Sequence, residues 1–308
     1  MVFEESALKD LYRRVIWGPY RRTLQRLPHG LELRVNRGLG RVIAVGAKGK
    51  RARVVENLRR AFDDGRDLDA IAATTFKTHF MEQYISWSFS RMTPETIPGY
   101  VDLRGRHHLD AALEQGRGAV LMHPHMGPAQ MPLAALGVLG YPMNQIGGGG
   151  VAHELSPAGQ RAEAMRHEFE EAIRAKIWDG SRSLRGVVRA LSRGEVVLSA
   201  IDGTGGGKEL GRRLEREVLG QKMRVPVGAV YLAWRTGAPL MPLCSWFEGG
   251  RVVSEIHAPV VIPRDSSREV VLEAGADLVA EWLGRFLSEH PGDWHFWDEF
   301  EPGRFLVG

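Results

Sequence analysis

Two histidines lie where an apolar run of the sequence gives way to a polar turn. The run GAVLMH (118–123) predicts a strand buried on both faces, and the segment PHMGPAQ leads from it into a predicted helix. Ligands of open α/β sheets bind at the carboxyl ends of the strands. Because histidine has an unperturbed pKa of about 6.5, His123 and His125 are both candidates for a general base. The alternative is that either ring caps the helix or binds a loop carbonyl.

A second polar group ends the apolar run EVVLSAID (195–202), which continues into a glycine-rich loop. This loop does not match the phosphate-binding pattern GxxxxGK(S/T), because that pattern needs glycine in place of Asp202 and serine or threonine in place of Glu209. We therefore expect Asp202 at the carboxyl end of a strand, with Gly203 and Thr204 beside the substrate.

Other kinds of site fit the sequence less well. A His-x-His pair can hold zinc only with further ligands, and His107 and His108 fall in a predicted helix before the strand, so we expect no metal. The sequence contains no GxSxG nucleophile elbow. Cys244 lies in the apolar run APLMPLCSWF, where cysteine is typically a small core residue. As the single cysteine it cannot form an intramolecular disulfide, which indicates a reducing compartment.

The elements that must position these groups change character near Pro98. Residues 1–97 are predicted to be mainly helical, whereas residues 98–308 alternate short apolar runs with helical patterns. The predicted fold is therefore α/β, with a mostly parallel central sheet flanked by helices after a helical N-terminal segment, and one structural domain overall.

Further segments of the second part are assigned by pattern. Helices are predicted at 107–116, 156–177, 183–194, 225–237 and 269–294, and strands at 238–247 and 251–262. The four successive glycines of QIGGGGVAH (145–153) predict a flexible connection or a lid near His125.

Positive charge is concentrated at the N-terminus. Residues 1–60 hold 15 Lys and Arg against 5 Asp and Glu, although the formal net charge of the whole chain is only +4. Basic segments of this kind bind nucleic acid, anionic lipid or an acidic protein. Here the basic residues alternate with Trp17 and several leucines and valines, which is typical of interfacial helices, so we expect an anionic membrane surface and no nucleic acid. The alternative is an apolar stripe that packs on the core.

The sequence contains no window of about 20 residues free of charge, and its start lacks the apolar stretch of a signal peptide. We therefore expect a cytoplasmic protein, peripheral on the inner face of the cell membrane.

The order of these motifs resembles the bacterial lysophospholipid acyltransferase superfamily. Within it, the sequence is most similar to the lipid A late acyltransferases of lauroyl and myristoyl type and to the phosphatidylinositol mannoside acyltransferases. The likeness rests on NLRRAF, HHLDAALEQGRGAVLMHPHMGPAQ, LSRGEVVLSAID, VPVGAVYLAWRTGAPLMPL and DWHFW. It implies transfer of a fatty acyl group from acyl-CoA or acyl carrier protein to a hydroxyl of a glycolipid or phospholipid-like acceptor. No cofactor beyond this thioester co-substrate is implied.

The resemblance also implies that His125 is the general base, which leaves His123 as a candidate substrate contact. One position departs from the family pattern. The family has an acidic residue after four further residues, where this chain has Gln130. An amide can orient an imidazole but cannot stabilise an imidazolium, and in a serine protease the corresponding acid-to-amide change lowers turnover about 10⁴-fold. Asp202, which matches the acid ending a later strand in the family, is therefore the candidate for the missing carboxylate.

The remaining roles follow from this chemistry. We expect direct transfer, because the motif offers no activated serine or cysteine. Backbone amides at Gly127 and Gly203 are candidates to bind the oxyanion, and Arg161 or Arg166 to bind an acceptor phosphate or the donor's phosphopantetheine. Two other functions stay open. One is a noncatalytic lipid- or acyl-carrier-binding homologue, which Gln130 favours, and the other is a hydrolase that releases free fatty acid.

Overall fold

Helices form the first part of the chain. The computed structural model describes residues 6–147, 155–203, 210–263 and 266–308. The N-terminal helices are α1 (Ala7–Val15), α2 (Arg21–Leu24), α3 (His29–Gly46), α4 (Lys48–Ala61), α5 (Leu68–Ile85) and α6 (Ile97–Tyr100), with a π-helical turn at Ile16–Tyr20 and a 3₁₀ turn at Ser86–Arg91. Among the described residues, no helix is both long and apolar enough to cross a membrane.

Local capping fixes where two of these helices begin. The Ser6 side chain accepts a hydrogen bond from the backbone of Lys9 at the start of α1, and the Asp67 side chain accepts one from Ala70 at the start of α5. Helix α5 then packs against α3 and α4 and forms the centre of this helical layer. The first strand begins at Val101, close to the expected boundary at residue 97, while the division of the chain into two parts stays a prediction.

A seven-stranded sheet forms the rest of the core. The described part of the chain has nine strands, and seven of them form this sheet. The nine are β1 (Val101–Arg104), β2 (Ala119–His123), β3 (Met143–Gly147), β4 (Ala175–Asp179), β5 (Val196–Ala200), β6 (Arg213–Val218), β7 (Gln221–Pro226), β8 (Leu240–Glu248) and β9 (Arg251–Ile256). The sheet order is β1-β9-β8-β2-β5-β3-β4, and all neighbours are parallel except β8 and β9. Strands β6 and β7 form a separate antiparallel ribbon.

Helices cover both faces of the sheet. They are α7 (Arg106–Leu113), α8 (Met131–Val138), α9 (Pro157–Glu170), α10 (Arg185–Ser192), α11 (Gly228–Thr236) and α12 (Arg268–Glu289), followed by 3₁₀ turns at Pro291–Asp293 and Trp297–Glu299. The predicted α/β fold with a mostly parallel central sheet is thus confirmed.

The apolar runs of the sequence are explained by burial on both sides. Successive residues of β2 point to opposite faces, so Val120 and Met122 join one apolar cluster while Ala119 and Leu121 join the other. Because neither face of this strand meets water, polar residues do not alternate along it. The first polar side chain of the strand is His123, at its carboxyl end.

Some expected boundaries were wrong. The helix predicted over 156–177 ends at Glu170, because Ala175–Asp179 pairs with β3 as the edge strand β4. The helix predicted over 225–237 begins at Gly228, since its first two residues belong to β7. In the predicted glycine connection, Gln145–Gly147 belongs to β3, and 148–153 lies outside the described residues. In each case hydrogen bonds to a neighbouring strand outweigh the local pattern.

Candidate active site

The carboxyl ends of β2 and β5 bring His125 and Asp202 together. The two strands are parallel neighbours, with His123 opposite Ala200, so the residues that follow them emerge side by side. Nδ1 of His125 lies 2.7 Å from Oδ1 of Asp202, and the His125 backbone N–H donates to Oδ2 at 2.7 Å. The two groups singled out in the sequence therefore form one directly hydrogen-bonded pair.

Asp202 is a buried carboxylate held by N–H donors. It is 2% exposed, and the Trp294 indole Nε1–H donates to its Oδ2 at 2.9 Å. Burial by itself raises the pKa of this carboxyl, but the charge of His125 and the hydrogen bonds offset that effect and bring the pKa below its ordinary value. Asp202 is therefore ionised at neutral pH.

His125 has the proton arrangement of a general base. An ionised carboxylate only accepts hydrogen bonds, so Nδ1–H donates to Asp202 and Nε2 keeps its lone pair. Burial lowers the pKa of His125, but the charge and hydrogen bond of Asp202 outweigh burial and raise the pKa above its ordinary value. The His125 side chain is 34% exposed, so a substrate hydroxyl can reach it.

Residues 294–296 hold the turn that carries His125 in place. Met126 forms an antiparallel bridge with Trp294, and the His295 backbone N–H donates to the His125 carbonyl at 3.1 Å. The Phe296 ring packs beside the imidazole of His125, with 5.1 Å between the ring centres. The position of the His125 imidazole is thus set by contacts from both sides of the turn.

Gly127 has a structural task in this turn. Its N–H donates to the Asp293 carbonyl at 2.8 Å and its carbonyl accepts from Nε2–H of His295 at 2.7 Å. Its φ is +52°, and a Cβ there would lie 2.6 Å from the carbonyl oxygen of Ser245, so only glycine fits. Because the N–H is already bonded, Gly127 cannot supply the expected oxyanion donor in this arrangement. Gly203 can, since its N–H has no hydrogen-bond partner within the described residues.

The pair opens into a cleft of about 990 Å³ at the carboxyl edge of the sheet. This volume is at the upper end of the range of about 300–1,000 Å³ for small-molecule sites. The apolar part of the lining comes from Ile146, Ile173, Ile177, Leu184 and Leu232. The polar side chains of His123 and Gln130 and the backbone of Gly203 line the same cleft. The cleft thus combines the imidazole of His125 with room for an apolar chain.

The same arrangement of motifs matches a known family. The family model described as bacterial lipid A biosynthesis acyltransferase matches residues 19–299. The chain belongs to this family. The resemblance predicted from the sequence is thereby confirmed.

Curated relatives in this family are phosphatidylinositol mannoside acyltransferases. The protein of that name from Mycobacterium tuberculosis is 30% identical over 199 residues, which cover 62% of this chain and 57% of the relative. The one from Mycolicibacterium smegmatis is 28% identical over 199 residues, covering 61% and 58%. The matched region thus spans little more than half of the length of these relatives.

Gln130, at the position where the family pattern has an acid, does not orient the base. It lies at the N-terminal end of α8 and lines the cleft, but its side-chain amide forms no hydrogen bond within the described part of the chain. The imidazole Nδ1 bonds Asp202 instead. The other histidine of the motif, His123, bonds the Pro124 carbonyl through Nδ1 at 3.0 Å, and burial lowers its pKa to about 4. His123 is therefore an uncharged side chain that lines the cleft.

The two arginines expected at the substrate do not line the cleft. Arg166 pairs with Glu170 on the next turn of α9, with 2.7 Å between Nε and Oε1. Arg161 faces a second cavity beside the N-terminal helices. Thr204, the remaining expected substrate contact, lies outside the described residues.

The described geometry does not support a metal site or a reactive Cys244 thiol. Among the residues that the structure describes, no group of three or more His, Cys, Asp or Glu side chains is arranged to hold a metal ion. Cys244 is buried, and burial raises the pKa of its thiol well above the ordinary value. Its sulfur packs 3.9 Å from that of Met126, so it is a core residue, as its apolar run predicts.

Sequence reasoning missed the residues that hold Asp202 and the turn from the far side. Trp294, His295 and Phe296 belong to the segment DWHFW, which contributed to the family resemblance but received no role. Its density of ring side chains with hydrogen-bonding groups was the available signal, because buried Trp and His side chains need polar partners.

Proposed function

We propose that the chain is an acyltransferase that moves a fatty acyl group from a thioester to a hydroxyl of a glycolipid, with His125 as the general base. The observation that carries the proposal is the bond between His125 and the buried Asp202, open to a cleft with an apolar wall. Family membership and the names of the relatives support the reaction class and the kind of acceptor.

The proposed reaction is a direct transfer. Nε2 of His125 takes the proton of the acceptor hydroxyl while its oxygen attacks the thioester carbonyl. Asp202 stabilises the imidazolium that forms, and the Gly203 N–H donates to the oxyanion. Collapse of the tetrahedral intermediate forms the ester, breaks the carbon–sulfur bond and releases the thiol, which receives the proton from Nε2. The donor is acyl-CoA or acyl carrier protein.

We also propose that the N-terminal helices bind an anionic membrane from its cytoplasmic side. Helix α3 exposes an apolar stripe of Leu31, Val35, Val42 and Val45, of which the last two are 67% and 65% exposed. The flanking Arg34 and Arg41 are exposed as well. Apolar side chains between cations match an interfacial helix, with the apolar groups at the acyl boundary and the cations at lipid headgroups. The alternative, that the apolar residues of the N-terminal segment pack on the core, holds for Trp17 and Leu24, which are buried. It does not hold for the exposed stripe of α3.

The experiment that tests the chemistry replaces the base. We expect His125→Ala to lower acyl transfer at least about 100-fold, because a positioned general base contributes about 10² to 10⁴, while the melting temperature stays unchanged. The assay follows radiolabelled acyl-CoA and acyl carrier protein with phosphatidylinositol mannoside and lipid A precursor as acceptors. The His123→Ala variant is the matched control and should be milder.

The outcomes separate the alternatives. Turnover of His125→Ala above about 10% of the wild type would contradict the assignment of the base. Free fatty acid released at the same rate without an acceptor would show a hydrolase. A wild-type protein that binds the thioester but transfers no acyl group in a single-turnover experiment would show a noncatalytic homologue.

A further inference from the structure

A second cavity, of about 530 Å³, lies between the N-terminal helices and α9 and shares no lining residue with the catalytic cleft. Its walls carry five arginines, which are Arg13, Arg14, Arg21, Arg22 and Arg161. We call this cavity the arginine pocket. Helix α9 joins the two sites, because Glu170 near its other end lines the cleft. At 1.5 Å per residue, Arg161 and Glu170 are about 13 Å apart along the helix.

Most of the positive charge of the arginine pocket is not neutralised by carboxylates. Arg13 lies 3.5 Å from Asp10. Within the described ranges, Arg14, Arg22 and Arg161 have no carboxylate oxygen within 4.0 Å. Like charges gathered on one concave surface create a field that attracts an anion. Burial lowers the pKa of Arg21 most, the neighbouring Arg22 lowers it further, and the charge of Glu168 opposes both effects.

The start of α9 is shaped to admit one of these guanidiniums. Nη1 of Arg13 donates to the Ser156 hydroxyl at 3.3 Å, and that hydroxyl caps α9 by accepting from the Gly159 N–H at 3.0 Å. A Cβ at Gly159 would lie 2.7 Å from Nη1 of Arg13. Glycine costs about 1 kcal/mol relative to alanine inside a helix, so its presence here is explained by the room it leaves for Arg13. The positive end of the helix adds to the same field.

Apolar side chains line the same cavity, among them Trp17, Ala162 and Met165. A water-soluble anion gains nothing from such a lining, whereas a phospholipid offers a phosphate and acyl chains together.

We propose that the arginine pocket binds the phosphodiester of an anionic phospholipid, whose acyl chains contact Trp17, Ala162 and Met165. Guanidinium groups suit this ligand because their paired N–H donors match two phosphate oxygens. Since α9 connects the pocket with the cleft, a lipid bound there fixes the direction in which the cleft faces the membrane. The inference rests on the proposed membrane location but requires no acyl transfer.

The test measures binding without a membrane surface. Isothermal titration uses monomeric dihexanoyl phosphatidylglycerol, with dihexanoyl phosphatidylcholine and inorganic phosphate as comparison ligands. The pocket variant is Arg14→Gln/Arg161→Gln, whose two side chains are exposed, so the fold should tolerate the change. The matched control is Arg117→Gln/Arg235→Gln, which removes the same charge from exposed positions that line neither cavity.

We expect the pocket variant to bind phosphatidylglycerol about tenfold more weakly or worse, and the control variant to stay within about twofold of the wild type. Inorganic phosphate and phosphatidylcholine should bind the wild type at least about tenfold more weakly than phosphatidylglycerol. Equal losses of affinity in the two variants would overturn the proposal, because they would show that the overall positive charge attracts the lipid and not the pocket. Inorganic phosphate that binds as tightly as phosphatidylglycerol would overturn it too, because it would show a site for free phosphate. His125→Ala must bind like the wild type, so this result stands apart from the outcome of the acyl-transfer assay.

Discussion

At the scale of single residues, the group that faces Nδ1 of His125 decides how good a base it is. Asp202 supplies a full negative charge in a buried position, whereas Gln130 lines the cleft without touching the imidazole. A carboxylate there both orients the ring and stabilises the imidazolium, and an amide does only the first. The departure from the family pattern at Gln130 is therefore compatible with catalysis.

We expect Asp202→Asn to lower kcat/KM by about 10² to 10⁴, and Gln130→Ala to change it by less than about tenfold. Gln130→Glu should keep or raise activity. Rates measured with one donor and one acceptor, together with melting temperatures, check this. An inactive Gln130→Ala beside an active Asp202→Asn would show that the amide, and not the carboxylate, supports the reaction.

The same pair predicts a pH dependence. A general base must be unprotonated, so kcat/KM falls as the pH drops through the pKa of His125. Burial lowers this pKa, but Asp202 outweighs burial and raises it, so the acid limb of the wild-type profile lies above the ordinary histidine value of about 6.5. The Asp202→Asn variant lacks the negative charge that raises the pKa of His125. Its kcat/KM should therefore reach a lower maximum, and the acid limb of its pH profile should move to lower pH. A limb that stays in place would contradict the coupling.

At the scale of elements, residues 293–296 join the helical layer to the sheet. The carboxyl group of Asp293 accepts from the Thr78 hydroxyl of α5 at 3.2 Å and from the Phe247 N–H of β8 at 3.3 Å. Its backbone carbonyl accepts from Gly127 in the turn next to His125. One short segment thus contacts α5, β8 and the catalytic turn at once.

This junction should be sensitive to pH. Burial, despite the opposing hydrogen bonds, raises the pKa of Asp293 from 3.8 to about 6. A carboxyl group whose pKa is higher in the folded than in the unfolded protein stabilises the fold most at pH values below the unfolded-state pKa. This stabilisation is lost as the pH rises through the folded-state pKa of about 6. Asp293→Asn should remove this slope, which amounts to at most about 3 kcal/mol between pH 4 and pH 7. Urea unfolding across that range measures it, and an unchanged slope would assign the pH dependence to other groups.

The elements also show what local sequence can and cannot predict. Strands β2, β5, β8 and β9 were recognised because they are apolar over most of their length, which is what burial in a sheet requires. The ribbon β6–β7 and the edge strands β1 and β4 are more polar, and cross-strand hydrogen bonds that no local pattern reveals hold them in place. For the same reason Asp202 was found from the end of its strand, and Trp294, which reaches it across 92 residues of chain, was not.

At the scale of the whole molecule, the charge asymmetry and the exposed apolar residues coincide in the N-terminal helices. The stripe on α3 extends from Leu31 to Val45, which corresponds to about 21 Å of helix, and arginines lie beside it. Under the proposed membrane binding, a surface of this size would turn one preferred face of the protein toward the bilayer.

We expect binding to phosphatidylglycerol vesicles to rise with the anionic fraction and to fall with salt, because screening weakens attraction between exposed charges. Val42→Ser/Val45→Ser should weaken co-sedimentation at least about tenfold, since it removes two apolar contacts with the acyl boundary. The matched control is Val261→Ser/Val270→Ser, which removes two exposed valines outside these helices and should have no effect. Binding indifferent to salt and to both variants would leave the stripe without a role at the membrane.

The hydrogen bonds that hold Asp202 have a consequence for the newly made chain. His125 and Asp202 are 77 residues apart, and Trp294 follows Asp202 by a further 92. During synthesis the histidine and the aspartate emerge well before the indole and before the segment that pairs with the turn. A polypeptide interrupted before Trp294 contains His125 and Asp202 but lacks the indole N–H that donates to the carboxylate and the segment that pairs with the turn. The described arrangement around Asp202 is thereby completed only after this last part of the chain has been synthesised.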